Sequence, residues 1–321
     1  MKAMRAPQFG GPEVLRFEDA PEPQVQAGQV VIRVRAAGLN PADLGRLGGR
    51  VQQYPLPYIP GTDVCGEVEE VGAGVSNAKK GDRVFGRSMT GGYCEKTTLL
   101  ATELAQLPAN LSFAEGAAIP IPFYTAYNAL HHRAVIKAGE TVLVSAGGGG
   151  VGVAANQLAK VAGARVATTV GSAEKAERVR ALGADLVINY KQQDFVAEVN
   201  KFTDGKGVNV IIENVAADNL GKDFGALAAL GRIVVIGTGT AKSPDATFPV
   251  GAALGKDASI LGMSLQNATP RIQAMAAAVT GLLSAGKIKA LVSKSYPLQE
   301  AQQALADLIA GRVFGKLVLT P

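Results

Sequence analysis

Cysteine is nearly missing from this chain: Cys65 and Cys94 are the only two in 321 residues. Two thiols make no disulfide framework, so nothing points to an oxidising compartment. Both read as small buried strand residues. Histidine is as scarce, and its two copies, His131 and His132, are adjacent. Zinc needs three or four Cys, His or carboxylate ligands at suitable spacing. Neighbours on a helix point about 100° apart, so this pair does not chelate one ion and reads as a surface pair near a helix end. Long apolar runs are absent too. No stretch of about 18 apolar residues could span a membrane, and no signal-peptide core follows Met1-Lys2-Ala3-Met4-Arg5-Ala6-Pro7. The expectation is a cytoplasmic protein. The net charge of +5 is mild and comes without a block of like charges, which argues against a nucleic-acid partner. No internal repeat is visible.

What is present suits a globular protein with a large core. Apolar residues make up 47% and charged residues 18%, and the length allows two domains. The 39 glycines are spread along the chain, many of them where strands turn into helices. Up to about residue 122 the pattern is β-rich. Strands are expected at Val30–Arg35, Gly66–Gly72, Gly81–Phe85 and Tyr93–Thr97, with turn residues between them, as in a small barrel or sandwich.

After Pro122 strands and helices alternate. Strands are expected at Thr141–Ser145, Arg165–Val170, Leu186–Ile188, Val208–Glu213, Arg232–Ile236 and Ser259–Met263. Helices are expected at Val151–Ala162, Ala173–Leu182 with Gly183 as its stop, Phe195–Phe202 and Leu220–Leu230. Such alternation implies a doubly wound parallel sheet, an α/β fold. The tail from about Gln266 holds two amphipathic helices, Arg271–Ala285 and Gln299–Ala310, and a closing strand at Lys316–Thr320. It is too short to be a domain and should pack back on the β-rich part. The expected division is therefore 1–122 with 266–321, and 123–265.

Gly147, Gly149 and Gly152 make a G-x-G-x-x-G pattern inside Ala146–Gly152, where five of seven residues are glycine. Glycines alone could mean only a flexible turn. This run, however, follows an apolar strand and opens a helix, the placement that a dinucleotide fingerprint requires. A pyrophosphate must reach bare backbone N–H groups at a helix N-terminus, so Gly150 and Val151 join the candidate cofactor residues. An NAD site carries Asp or Glu at the end of the second strand, bonding the ribose hydroxyls. Here that strand runs into Gly171-Ser172, with Lys175 just beyond. Without an acid a 2′-phosphate is not repelled, and Ser172 or Lys175 can hold it, which favours NADPH. For Lys175 the alternative is a solvated helix-face lysine.

Four stretches carry a family resemblance: Ala36–Asp43, Pro60–Gly66, Gly81–Phe85, and Gly116–Pro120 running into Thr125-Ala126-Tyr127. With the order of β-domain, glycine-rich unit and short tail, the chain resembles the medium-chain dehydrogenase/reductase superfamily, in its zinc-free quinone oxidoreductase (zeta-crystallin-like) branch. The resemblance covers essentially the whole chain. It implies a Rossmann domain at 123–265 beside a GroES-like catalytic domain. Zinc-dependent relatives carry Cys where Asn40 stands, Gly-His-Glu in place of Gly61-Thr62-Asp63, and a four-Cys lobe that is missing here. Without zinc an alcohol dehydrogenase loses its Lewis acid, whereas a quinone or enone is already electron-poor.

The resemblance places Asn40 and Tyr127 at the reacting centre and against the cofactor. Asn40 would offer an amide donor to the substrate carbonyl. Its alternative is a turn residue before Pro41, and that of Tyr127 is a core aromatic on a helix. Further cofactor contacts implied by the resemblance are Tyr190 near the ribose phosphate, Asn214, Ile236, Gly237, Leu265, and Arg312 from the tail. In one respect the chain departs from the branch. Tyrosines that line the substrate side elsewhere are replaced by Gly45 and by Arg50 or Val51, while Tyr54 and Tyr58 lie further on. The expected activity is an NADPH-dependent quinone reductase. The alternatives are an alkenal or enone reductase and a non-catalytic NADPH-binding protein of the crystallin or RNA-binding kind. The resemblance also implies a homodimer, or a tetramer, paired through the strand at Ser259–Met263.

Overall fold

The computed structural model describes residues 1–49, 55–239 and 244–321. An antiparallel ribbon, β1 (Lys2–Arg5) with β2 (Arg16–Asp19), opens the chain. It is followed by β3 (Gln29–Gly38), in which Val30, Ile32 and Val34 are buried while Arg33 and Arg35 are exposed, the period-2 pattern of a strand with one face on a core. Then come α1 (Pro41–Leu47), β4 (Asp63–Val71), β5 (Arg83–Arg87), β6 (Lys96–Leu100), β7 (Leu104–Gln106), α2 (Phe113–Ala117) and α3 (Pro120–Tyr127). The alternating stretch supplies β8 (Thr141–Val144), α4 (Gly150–Val161), β9 (Arg165–Val170), α5 (Ala173–Arg180), β10 (Leu186–Asn189), α6 (Phe195–Phe202), β11 (Val208–Glu213), α7 (Ala216–Ala226), β12 (Leu227–Val235), α8 (Val250–Leu254) and β13 (Ser259–Gly262). The tail adds α9 (Ile272–Ser284), β14 (Val292–Pro297), α10 (Ala301–Ile309) and β15 (Lys316–Thr320).

The contacts divide these elements into two units, Met1–Ile121 with Arg271–Pro321, and Pro122–Pro270. In the first, β3 is the hub of a mixed sheet ordered β14-β15-β3-β4-β5-β7, with β6 also on β3. The tail packs back as expected, because β15 pairs antiparallel with Gly38 and Ala37 at the end of β3. In the second, the strands run in the order β10-β9-β8-β11-β12-β13 and every pairing is parallel. Leu143, Ala167, Ile188, Ile211 and Ile233, one from each of five neighbouring strands, are buried in one core with Val199 and Phe224. The strand order reverses between β8 and β11, which makes the loops after those two strands the switch point where such sheets hold ligands.

Several placements differ from expectation, among them the division between the units, which falls at Ile121/Pro122 and Pro270/Arg271, and the strand expected at Arg232–Ile236, which runs from Leu227 to Val235. The helix expected at Leu220–Leu230 begins at Ala216 and ends at Ala226. The apolar run after it has helical propensity, but Leu227 pairs with Val208 of β11, so sheet pairing overrides it. The strand expected at Tyr93–Thr97 is shifted to Lys96–Leu100, where it pairs with Gln29–Arg33. Asn40 sits not in a loop but at the N-cap of α1. Its N–H donates to Asp43 Oδ2 at 2.9 Å, and Pro41 occupies the first helical position, where a missing N–H does no harm.

Candidate functional site

The turn between β8 and α4 is drawn tight by β9. The Gly147 N–H donates to the Thr169 carbonyl at 2.8 Å, the Ala146 N–H to Thr169 Oγ1 at 3.2 Å, and Asn156 Nδ2 to the Gly147 carbonyl at 3.2 Å. A Cβ on Gly147 would lie 1.8 Å from Thr168 Oγ1, and one on Gly152 would lie 2.3 Å from the Ala146 carbonyl oxygen. Both glycines are therefore required by packing. Gly149 is different: a Cβ there would meet nothing closer than 3.4 Å. It is the N-cap of α4 and has no capping side chain. The first bond into the helix runs from the Val153 N–H to the Gly149 carbonyl. The N–H groups of Gly150, Val151 and Gly152 precede it and have no acceptor within the helix.

Since the strands are parallel, the ends of β9 to β13 come out on the same edge of the sheet. After β9, Gly171 closes on the Tyr190 ring, because a Cβ there would lie 2.7 Å from the tyrosine hydroxyl. Ser172 caps α5 by accepting the Lys175 N–H at 3.3 Å. Burial lowers the Lys175 pKa; the neighbouring Glu174 opposes that shift, and the cations Lys191 and Arg178 add to it. The corner thus holds three cations and one carboxylate, which itself lies 3.6 Å from Arg178. After β11, Asn214 is fastened to β8: its N–H donates to Ser145 Oγ at 2.7 Å and its Nδ2 to the Ser145 carbonyl at 2.8 Å. After β12, the Ile236 N–H bonds the Glu213 carbonyl at 2.9 Å, and Gly237 packs where a Cβ would lie 2.5 Å from the Asn214 carbonyl oxygen. Leu265 follows β13 and is buried.

The β-rich unit holds a second constellation, around Asn40. Asn40 Oδ1 accepts from Lys316 Nζ, while its Nδ2 donates to Asp63 Oδ2 at 3.1 Å. Lys316 Nζ also bonds Asp63 Oδ2 at 2.8 Å, and Asp63 Oδ1 accepts the Ile121 N–H at 3.0 Å. Asp43 receives the Tyr93 hydroxyl at 3.0 Å and lies 3.6 Å from Arg46, which also reaches Thr62. Asn40, Asp43, Asp63 and Lys316 are all buried. Burial raises the Asp43 carboxyl and pushes the Tyr93 phenol well above its ordinary value. Asp43, Arg46, Tyr58, Thr62 and Met89 line a small open pocket beside this network.

Residues 26–140 match the alcohol dehydrogenase GroES-like domain, and residues 150–281 match the zinc-binding dehydrogenase family. Over 99% of its length the chain is 39% identical to the quinone oxidoreductase of Homo sapiens, of which it covers 97%. The chain belongs to the quinone oxidoreductase family of the medium-chain dehydrogenases/reductases. Among solved structures, it matches the Escherichia coli quinone oxidoreductase complexed with NADPH at TM-score 0.92 and 31% identity, with both chains covered in full. It matches a mycobacterial protein complexed with NADPH at TM-score 0.93 and 33% identity, again over both full chains. Membership of this family agrees with both folds described above, the Rossmann sheet and the β-rich unit.

The expected site residues of this quinone oxidoreductase relative fall into groups. Gly147, Gly149, Gly150, Val151, Gly152, Gly171, Ser172, Lys175, Tyr190, Asn214, Ile236, Gly237 and Leu265 share one edge of the parallel sheet. Tyr127 ends α3, and its ring lies tilted against that of His131, with centroids 4.3 Å apart. Arg312 is exposed and pairs with Asp307 at 2.5 Å. Arg50, Val51 and Tyr54 lie outside the described residues. Asp43, Asp63, Tyr93 and Lys316 were not singled out from the sequence, although Asp43 and Asp63 sit inside the motifs that carry the resemblance. Lys316 has no sequence signal, since it reaches Asn40 from 276 positions away. Among the described residues no group of three or more His, Cys, Asp or Glu could hold an ion.

Proposed function

We propose that the protein is an NADPH-dependent quinone reductase that works without a metal. The observation that carries the cofactor choice is the end of β9, where Gly171 and Ser172 stand in place of a ribose-binding acid and Lys175, Lys191 and Arg178 outnumber the one nearby carboxylate, Glu174. The site fits a dinucleotide. Gly149 leaves open space, three helix-end N–H groups are free to meet a pyrophosphate, and the helix dipole favours its charge. Asn214, Ile236, Gly237, Leu265 and Tyr190 then serve the ribose and nicotinamide ends, and Arg312 the nicotinamide side. The unit Pro122–Pro270 would then serve as the cofactor domain and Met1–Ile121 with Arg271–Pro321 as the catalytic one.

The nicotinamide supplies a hydride when bound. The protein supplies orientation and a hydrogen bond to the acceptor's oxygen. Asn40 suits that task. An amide has two N–H donors, one of which goes to Asp63. Lys316 on its carbonyl fixes which end points onward, so the second N–H is a preoriented donor that does not titrate. Tyr127 supports the reacting end. Metal binding has no support at Asn40 and Thr62, and burial raises both thiols, Cys94 up to about 12, whereas the thiolate is the ligand. Two free buried cysteines agree with a cytoplasmic enzyme.

A second reading, reduction of alkenals or enones, is favoured by Gly45, which leaves no aromatic at that position in α1. Loss of NADPH absorbance with an ortho-quinone, a para-quinone and a short alkenal in parallel, with NADH as control, tests both. Quinone turnover with NADPH preferred is the expected result. Turnover of the alkenal alone moves the function to enone reduction. Tight NADPH binding without turnover leaves a binding protein.

A further inference from the structure

Beneath the switch point of the parallel sheet lies a pair of buried carboxyl groups. Glu213 ends β11 and Asp223 lies in α7, and both are fully buried. Glu213 is well supplied with donors. Its Oε1 accepts Ser145 Oγ at 2.7 Å and the Val215 N–H at 2.5 Å, and its Oε2 accepts Asn219 Nδ2 at 3.4 Å. Ser145 and Asn214 bind each other across the same two turns. Asp223 has no such support: neither of its oxygens meets a donor among the described residues. The polar group facing it is Glu213.

Two adjacent carboxyls out of water cannot both ionise, because burial and mutual repulsion each oppose the second charge. Burial and the Glu213 charge push Asp223 up to about 9, and burial raises Glu213 as well. The three donors on Glu213 favour its ionised form, so the proton belongs to Asp223. Among the described residues no other charge acts on Asp223. Asp218 and Lys222 on α7 do not act on Asp223. Glu198 and Lys201 on α6 pair with each other, and Arg232 on β12 pairs with Glu140.

We propose that Asp223 is a positioning residue: it donates its carboxyl proton in a hydrogen bond to Glu213, and Glu213 so held keeps the turns after β8 and β11 in the shape that receives the dinucleotide. This rests on the cofactor reading given above. Glu213 touches the backbone of the β11 turn directly and the β8 turn through Ser145, so a second ionised carboxylate beside it would repel it from both. Affinity for the dinucleotide would fall as Asp223 loses its proton.

The test uses the full chain with Asp223→Asn and Asp223→Ala. The asparagine keeps a donor toward Glu213 and cannot ionise. Infrared spectra of the cofactor-free protein at neutral pH should show a protonated carboxyl band that Asp223→Asn removes. NADPH binding should weaken about tenfold in the wild type as pH rises past about 9, since one proton is lost, while Asp223→Asn should hold its neutral-pH affinity. Asp223→Ala should bind more weakly already at neutral pH, with its melting temperature reporting whether it folds. A band that persists in Asp223→Asn, or an alkaline weakening that the variant shares with the wild type, overturns the proposal. Wild-type protein that binds no NADPH at neutral pH overturns the cofactor reading and the positioning role with it. In that case the infrared band still reports separately on the shared proton.

Discussion

Asn40 is fixed by two side chains of opposite charge, and this sets what its removal should do. Asn40→Ala deletes a donor to the acceptor's oxygen without touching the glycine turn. Its turnover number should fall about 100-fold, the scale of a lost oxyanion donor, with NADPH affinity unchanged by fluorescence titration. A similar loss of NADPH affinity would place Asn40 in cofactor binding alone. Lys316→Met is a different kind of change. It leaves Asp63 buried with no cation, a situation that costs about 3–5 kcal/mol, so denaturant unfolding should show a large loss of stability. Lys175→Ala belongs to cofactor choice. One charge-assisted bond to a phosphate contributes about 1.5–3 kcal/mol, so NADPH affinity should fall roughly tenfold or more while NADH affinity stays where it was. An equal loss for both nucleotides would remove the 2′-phosphate assignment.

The elements show which parts of the molecule local sequence can reveal. The strand, glycine turn and helix from Thr141 to Val161 were legible because apolar runs and glycines directly encode a buried strand and an uncapped helix start. The absence of an acid at the end of β9 itself was legible for the same reason, as a residue type at one strand end. The network around Asn40 was not. Asn40 and Asp43 are three residues apart, and their N-cap pattern can be read, but Asp63 arrives from β4 and Lys316 from β15. Only sheet pairing brings them together. The Glu213 and Asp223 pair was hidden likewise, since a carboxyl in a helix reads as surface until burial is known. The glycines themselves separate into two kinds, which substitution should reveal. Gly147→Ala puts a Cβ 1.8 Å from Thr168 Oγ1, so the β8 turn must shift and the melting temperature should drop. Gly149→Ala has room in the fold, so its melting temperature should match the wild type while NADPH affinity falls. If both variants melt alike and bind alike, the division between packing and ligand glycines fails.

For the whole molecule, the edge of the parallel sheet is the feature that asks for a partner. Among the described residues β13 is paired on one side only, with β12. Its Ile260 is 39% exposed, and nearby in sequence α8 leaves Val250 and Leu254 at 62% and 73%. An apolar edge strand with open N–H and C=O groups invites pairing with another chain. A two-fold axis would let it pair with its own copy and close the assembly. The expected state is therefore a homodimer at micromolar concentration, measured by sedimentation. Ile260→Lys places a charge on that edge without entering either core, so it should shift the protein toward monomer and leave its circular dichroism unchanged. A wild type that sediments as a monomer removes the proposed interface, whereas a variant that remains dimeric moves the contact away from β13.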